Sequence, residues 1–421
     1  MSAMKGKKLT PELRFPGFTG DWEEKRLGEI IEFVSTNSYS REKLNYEGGN
    51  IYNIHYGDIH KNFNSNFDIT KELVPFLNED ITTNKNNLTF CEAGDLIIAD
   101  ASEDYNDIGK AIEIINTDKK LIVAGLHTLH GKVRIPTALG FKSYLMQSQK
   151  IRKQLQLLAQ GISVLGISKG NAESLKLHLP PLPEQQKIAD FLSSVDKKIE
   201  LLQTQLKLQE EYKKGMMQKL FSQQIRFKDD NGMDFPDWEE KKLGEITEVK
   251  RGVGSTKIDY TTSEQGVRLI RINDFYDNNP VYIKSFMNMD NFYITERDIL
   301  FAGTGATAGI SYLPPKDWYN LPHSYNAPRI RVKEDENIDY IYTYLQSEQI
   351  ANQEKTLFVG AAQHFLDTEA ISGLVIDYPS LPEQQKIADF LSSLDKKIDA
   401  TKQQLEKAKS WKKGLMQQLF V

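Results

Sequence analysis

The stretch LPEQQKIADFLSSVDKKIE begins at Leu182, and LPEQQKIADFLSSLDKKID begins at Leu381. Val195 against Leu394 and Glu200 against Asp399 are the only differences, across an offset of 199 residues. A chain that keeps one helix twice either builds the same contact twice or carries an old duplication held only for packing. Each copy opens with a proline suited to the first helical position, followed by an acid near the positive end of the helix dipole (Pro183, Glu184; Pro382, Glu383). Apolar residues then recur at Ile188, Leu192, Val195, Ile199, Leu202 and Leu206. The alternating steps of four and three make a heptad seam. The second copy offers Ile387, Leu391, Leu394, Ile398, Thr401, Leu405 and Ala408. About 36 residues at roughly 1.5 Å each give a helix on the order of 54 Å, too long for one small core. Two such helices on one chain pack most simply on each other, antiparallel, with a pseudo-twofold relation. Homodimerisation is the competing use of the seam.

The duplication extends beyond the helices. DWEEKRLGEI (Asp21–Ile30) returns as DWEEKKLGEI (Asp237–Ile246), here at an offset of 216. The second half is therefore 17 residues shorter somewhere between its frames. Matched frames around divergent inserts predict two identical contacts and two different targets. Unchanged helix positions read as exposed mark the candidate partner-binding set: Glu184, Gln185, Gln186 and Lys187, with Glu383, Gln384, Gln385 and Lys386. The domain boundaries that follow are 1–181, a spacer helix 182–223, 224–380 and a C-terminal helix 381–421.

Between the frames, strand and helix signals mix, so the fold class is α+β. NIYNIHYGDI (50–59), GDLIIAD (94–100) and KLIVAGL (120–126) read as strands, as do GVRLIRIND (266–274), RDILFAG (297–303) and APRIRVK (327–333). Single helices are expected over Ser143–Gln160 and Tyr340–Phe358. With 421 residues, ordinary hydrophobic content and no apolar run of about 18 residues, the chain is expected to be globular and without a membrane span. The start MSAMKGKKLTPELRF has no apolar core, so no secretory signal is expected. Cys91 is the only cysteine, which excludes an intrachain disulfide and a cysteine-rich zinc site and favours a reducing compartment, the cytoplasm.

Net charge is -5, so contact with nucleic acid would need local basic patches. Residues Gly131–Gln160 hold six lysines and arginines, Lys132 and Arg134 among them, and no acid. The loop VKRGVGSTK (249–257) carries Lys250, Arg251 and Lys257, with two glycines whose backbone N–H groups suit phosphate. HKNFNSNF (60–67), with Lys61 and Asn62, and NDFYDNN (273–279), with Asn273 after Arg271, offer groups that could read base edges. The same compositions suit solvated surface loops.

No constellation for covalent chemistry emerges. FAGTGATAG (301–309) resembles the cofactor turn of a methyltransferase, but no polar-Pro-Pro-aromatic loop accompanies it, so it reads as a glycine-rich loop. PDWEEK (236–241) crowds together acids that a metal-dependent nuclease keeps apart, and is a structural frame. Neither a P-loop nor a G-x-S-x-G elbow occurs. The seven histidines show no H-x-x-x-H spacing on a helix.

The duplicated W-E-E-K-x-L-G-E-I opening, the Leu-Pro-Glu-Gln helix starts at 182–185 and 381–384, and the GDLIIA and RDILFAG segments together resemble the DNA-specificity subunit of type I restriction–modification enzymes, from about Trp22 to Phe420. The resemblance implies two target-recognition domains joined by antiparallel coiled-coil helices. Each domain reads one half of a bipartite, asymmetric site, and the helices set the spacer. It implies two copies of a modification methyltransferase subunit and an ATP-dependent restriction subunit as partners. Catalytic residues and cofactors are expected to be absent from this chain, with S-adenosylmethionine, ATP and Mg on the partners. The remaining readings are a coiled-coil scaffold with two protein-binding domains and a stand-alone methyltransferase.

Overall fold

The duplicated opening forms a strand that pairs with the one leading into each long helix. In a computed structural model, which describes residues 9–78, 88–277, 279–358 and 365–421, Glu23–Arg26 pairs antiparallel with Lys176–Leu179. Glu239–Lys242 pairs in the same way with Val375–Tyr378. Each partner strand runs directly into a long helix, Leu182–Phe221 (40 residues) or Leu381–Gln418 (38 residues). At about 1.5 Å per residue each helix is about 60 Å long. The basic residues before Leu9 and Asn278 of the NDFYDNN loop lie outside the described residues.

Two compact units result, one of residues up to Gln203 with Gln403–Val421, the other Thr204–Lys402. Each helix thus gives one part to each unit, whereas the sequence divides the chain where the helices begin. In the first unit Ile188, Leu192 and Val195 share a core with Leu415, Leu419 and Phe420. There Lys412 meets Asp196 at 2.6 Å, and Phe191 meets Trp411 edge-on with ring centres 5.9 Å apart. In the second unit Lys213 pairs with Asp395, and Glu210 with Lys402 at 3.1 Å. Ascending along one helix descends along the other, so they run antiparallel. Lys213 and Lys412 are the same repeat position, as are Asp196 and Asp395, so one lysine–aspartate pair occurs twice with its members exchanged. Thr401, the polar member of the second seam, is buried and donates its hydroxyl to Lys397 O at 3.0 Å.

Inside the units a three-strand frame repeats residue for residue. In the first unit Ile31–Val34, Thr128–Val133 and Leu96–Ala99 lie side by side, with Val133 opposite Ile31 and Gly131 opposite Leu96. In the second, Thr247–Lys250, Arg329–Val332 and Asp298–Phe301 repeat the order, with Val332 opposite Thr247 and Ile330 opposite Ile299. Loop hydrogen bonds repeat as well. Gly125 N donates to Ile54 O at 2.8 Å, and Ser324 N donates to Ile270 O at 2.8 Å. Offsets read from these pairs are 216 through Ile54, 203 at Leu96 and 199 from Gly125 onward. The 17-residue difference therefore divides into 13 residues removed between the first two positions and 4 between the last two. Around the shared frame the sheets differ: five strands in the first unit, four in the second.

Several expected elements prove shorter. The run 50–59 is a strand only over Ile51–Ile54 and turns into a helix at Tyr56–Lys61. The run 266–274 is a strand over Val267–Leu269 and a 3-10 turn over Ile272–Phe275. Each expected single helix is two: Phe141–Gln147 and Gln149–Leu158, then Ile338–Tyr344 and Glu348–Leu357. The breaks fall at Ser148 and Ser347, both extended at ψ 144° and 161°. Ser347 caps the new helix by accepting from Ile350 N, the competition with the helical backbone that serine sets up.

Candidate nucleic-acid interface

The helix openings are internal locks, which corrects half of the expected partner-binding set. Glu184 and Gln185 are buried, as are Glu383 and Gln384. Arg14 grips Glu184 with Nε to Oε1 at 2.8 Å and Nη2 to Oε2 at 2.7 Å, while Nη1 donates to Gly20 O. Arg226 grips Glu383 likewise, at 3.0 and 2.8 Å, and Trp238 Nε1 adds a third donor at 2.9 Å. A carboxylate this deep needs such a bidentate partner to offset its lost hydration. Gln185 Nε2 donates to Pro180 O and Gln384 Nε2 to Pro379 O, both at 2.8 Å, tying the helix to the strand before it. These residues recur because each helix start is built the same way. Gln186, Lys187 and Gln385 are exposed; Lys386 is half-buried and bonds Asp230.

The basic stretch 131–160 is not a basic face either. Lys142 is buried against Glu113, 2.6 Å away, and Lys132 lies 3.3 Å from the buried Asp95. Arg134 pairs with Glu32 at 3.4 Å, and Arg152 donates to Asn106 O. The acids come from other strands, so no window along the sequence could show them. Asp95 also accepts from His130 at 2.8 Å, and these bonds hold its carboxyl below the usual range against the opposing effect of burial. The second unit repeats this anchor with different donors: Asp298 meets Arg331 at 2.7 Å and Arg329 at 3.5 Å.

In the loop 249–257, Lys250 pairs with Glu248 at 2.6 Å. Arg251 lies between the Tyr325 and Phe365 rings, 4.5 and 4.6 Å from their centres, and donates to Tyr325 O and Leu366 O. It is a wedge, not an open phosphate contact. Lys257 is exposed beside Phe286 and Phe292. Lys61 is exposed, and Asn62 is exposed with its amide on Asp58 at 3.1 Å.

One open cleft of about 800 Å³ in the second unit gathers what remains. Arg271 and Asn273 lie on its wall with Gly254 of the basic loop, Thr304 of the glycine-rich loop, and Tyr325 and Asn326. Sequence reasoning found the first two and missed the last two, which follow a strand-free stretch with no motif. Arg271 is partly turned inward, donating to Asn279 O at 2.9 Å. The loop 301–309 is therefore a cleft wall, shaped by glycines. Gly305 sits at φ +81°, and Gly309 at φ +96° has Glu354 beneath it, where a Cβ would lie 2.4 Å from Oε2. Burial pushes the Glu354 carboxyl up to about 7. Behind the cleft, burial also lowers the imidazole of His323 to about 4, and its Nδ1 bonds Ala327 O at 2.7 Å.

The first unit carries different side chains at the matching places. His127 stands where Asn326 stands: Asp100 N donates to His127 O, as Gly303 N donates to Asn326 O. Its ring meets Tyr56 edge-on at 5.2 Å, and its Nδ1 lies 3.2 Å from Asp100 Oδ1. His55, opposite Arg271 in the repeat, is buried and accepts from Gly57 N as a helix cap. Among the described residues no group of three or more His, Cys, Asp or Glu could hold a metal ion. None of the described helices is long and apolar enough to cross a membrane.

Residues 19–210 and 236–410 each match the family model described as the type I restriction modification DNA specificity domain. This chain belongs to the type I restriction–modification DNA specificity family. Each matched segment takes in one frame and most of the long helix that follows it. The specificity chain is 26% identical, over 95% of its length and 92% of the relative's, to the type I restriction enzyme MjaVIII specificity subunit of Methanocaldococcus jannaschii. A putative MjaX specificity subunit from the same organism is 25% identical over 95% and 93% of the two chains. The fold of the specificity chain is that of the type I restriction–modification S subunit from M. genitalium: TM-score 0.60, 17% identity, 98% and 99% of the two chains covered. A chain from a structure concerning complex assembly and conformational transition of the type I R-M system aligns with TM-score 0.56 at 16% identity, over 97% and 98%.

Proposed function

We propose that this specificity chain reads a bipartite, asymmetric DNA site, one half with each unit, and recruits methyltransferase and restriction subunits to it. The observation that carries this reading is the pairing of like frames with unlike side chains at matching loop positions. The same backbone ladders return in both units, while the residues at matching loop positions differ, as His127 and Asn326 do. Two different readers on one chain call for two different half-sites, unlike the palindrome of a homodimer. The long helices set the unread spacer. The twice-built lysine–aspartate pair belongs to a surface presented twice, fitting two copies of one methyltransferase subunit. Gln186, Lys187 and Gln385 are the docking candidates left exposed.

The chain itself holds no cofactor and performs no covalent step. S-adenosylmethionine, ATP and Mg belong to the partners, and the complex works in the cytoplasm. DNA footprinting with the full chain tests the reading. Two short protected blocks flanking a sequence-indifferent gap are expected. A single continuous block, or no protection, favours the scaffold reading. Binding of S-adenosylmethionine by the purified chain would revive the stand-alone methyltransferase.

A further inference from the structure

We propose that Asn273 and Asn326 are the base-reading residues of the second unit, and that His127, with Asp100, holds the corresponding office in the first. This assignment rests on the DNA-reading function above and names the side chains that give each half-site its identity.

Three observations converge. First, Asn273 and Asn326 both line the open cleft and both are exposed. Among the described residues neither carboxamide has a hydrogen-bond partner, although the cations near them are engaged: Arg271 with Asn279 O, Arg251 with two carbonyls and two rings. An amide that presents one donor and one acceptor side by side matches adenine N6 and N7 in the major groove. Second, the backbone that carries them recurs in the first unit. The Gly303 N to Asn326 O bond (3.0 Å) corresponds to Asp100 N to His127 O (3.1 Å). The turn that carries Asn273 corresponds to the turn that carries Gly57, through Asp274 N to Arg271 O (3.0 Å) and Asp58 N to His55 O (2.9 Å). The two units thus present different chemistry from the same points: two carboxamides in one, an imidazole beside a carboxylate and a bare glycine in the other.

Third, the first unit accepts backbone strain to place its residue. His127 lies at φ +54°, in the left-handed region, and half of its side chain is exposed. Histidine, like asparagine and aspartate, enters this region more readily than most residues, at a modest cost in backbone energy. Asp100, 28% exposed beside it, supplies an acceptor of the kind that suits cytosine N4.

The test is a selection by the full chain from duplex DNA with all positions randomised, comparing wild type with N273G/N326H and with H127N. The side chains of Asn326 and Asn273 are exposed and, among the described residues, without a hydrogen-bond partner, and asparagine tolerates positive φ, so these variants keep the fold; unchanged thermal unfolding checks this. In N273G/N326H, preference within one block should fall by about 5- to 150-fold at one or two base pairs, the other block staying as in wild type. H127N should alter the other block alone. Two wild-type blocks that survive unchanged in both variants overturn the assignment while leaving the DNA-reading function standing. A wild-type chain that enriches no sequence overturns both.

Discussion

Replacing Glu383 by alanine isolates the lock at the start of the second long helix. Its carboxylate is fully buried and accepts from Arg226 Nε, Arg226 Nη2 and Trp238 Nε1 at 2.8–3.0 Å. Breaking a buried pair costs about 3–5 kcal/mol, because the partner charge stays behind. Arg226 is 22% exposed and keeps Phe235 O and Pro236 O, which moves the expected loss to the low end, about 3 kcal/mol, before the indole is counted. The indole bond to a charged acceptor adds about 1.5 kcal/mol. Glu184→Ala, whose carboxylate is held by Arg14 alone, should therefore cost about 3 kcal/mol, and Glu383→Ala about 4–5 kcal/mol.

Urea unfolding followed by tryptophan fluorescence measures both. With slopes of about 1–3 kcal/mol per M, the midpoint for the affected unit should move down by roughly 1–5 M. A double cycle with Arg226→Ala should show strong coupling, since removing both charges leaves neither stranded. Midpoints unchanged by either glutamate substitution would refute the lock and return these residues to the docking surface.

Glu354→Gln should stabilise the second unit at alkaline pH. The wild-type carboxyl titrates near 7 in the fold against about 4.5 unfolded, so the folded state binds more protons between these values. Wild-type stability then falls as pH rises from about 4.5 to 7, by about 3 kcal/mol at most, and a flat wild-type profile would contradict this. Binding to DNA should weaken steeply with salt, and Lys61→Ala or Lys257→Ala should each reduce the log–log slope by about 1; an unchanged slope removes that lysine from the phosphate contacts. Inserting one heptad after Leu202 should lengthen the tolerated spacer or abolish site recognition, whereas an unaltered spacer would reject the helices as its ruler.

What the sequence disclosed and what it hid divide along the distance between interacting residues. The long helices were legible because proline, acid and heptad seam are local signals. Glu184 was misread because its partner, Arg14, lies 170 positions away and makes an acidic residue a buried one. The stretch 131–160 looked basic for the same reason: Glu113, Asp95 and Glu32 neutralise it across the sheet. The division of each short helix pair did leave a local trace. Gln-Ser precedes the second helix in both halves, at Gln147–Ser148 and Gln346–Ser347, and a serine inside an apolar-periodic run is a stop as much as a start, though only Ser347 caps through its side chain. Asn326 left no trace, because its place on the cleft wall depends on the bond from Gly303 N, a long-range backbone contact with no local motif.

That contrast accounts for which parts of the chain repeat and which do not. A ladder bond such as Gly125 N to Ile54 O needs only backbone, so Ser324 and Ile270 make it equally well, and every side chain around it is free to change. A buried carboxylate has no such freedom: Glu184 without Arg14, or Glu383 without Arg226, strands a charge in the core. Asp95 and Asp298 lie between these limits, since a histidine and lysine serve one and two arginines the other, the requirement being a hydrogen-bond donor at two strand positions. Identity in sequence therefore concentrates at the helix starts, where chemistry is fixed on both sides of the contact. It drains away from the loops around the frame, where ladder bonds of the backbone recur whatever the side chains beside them.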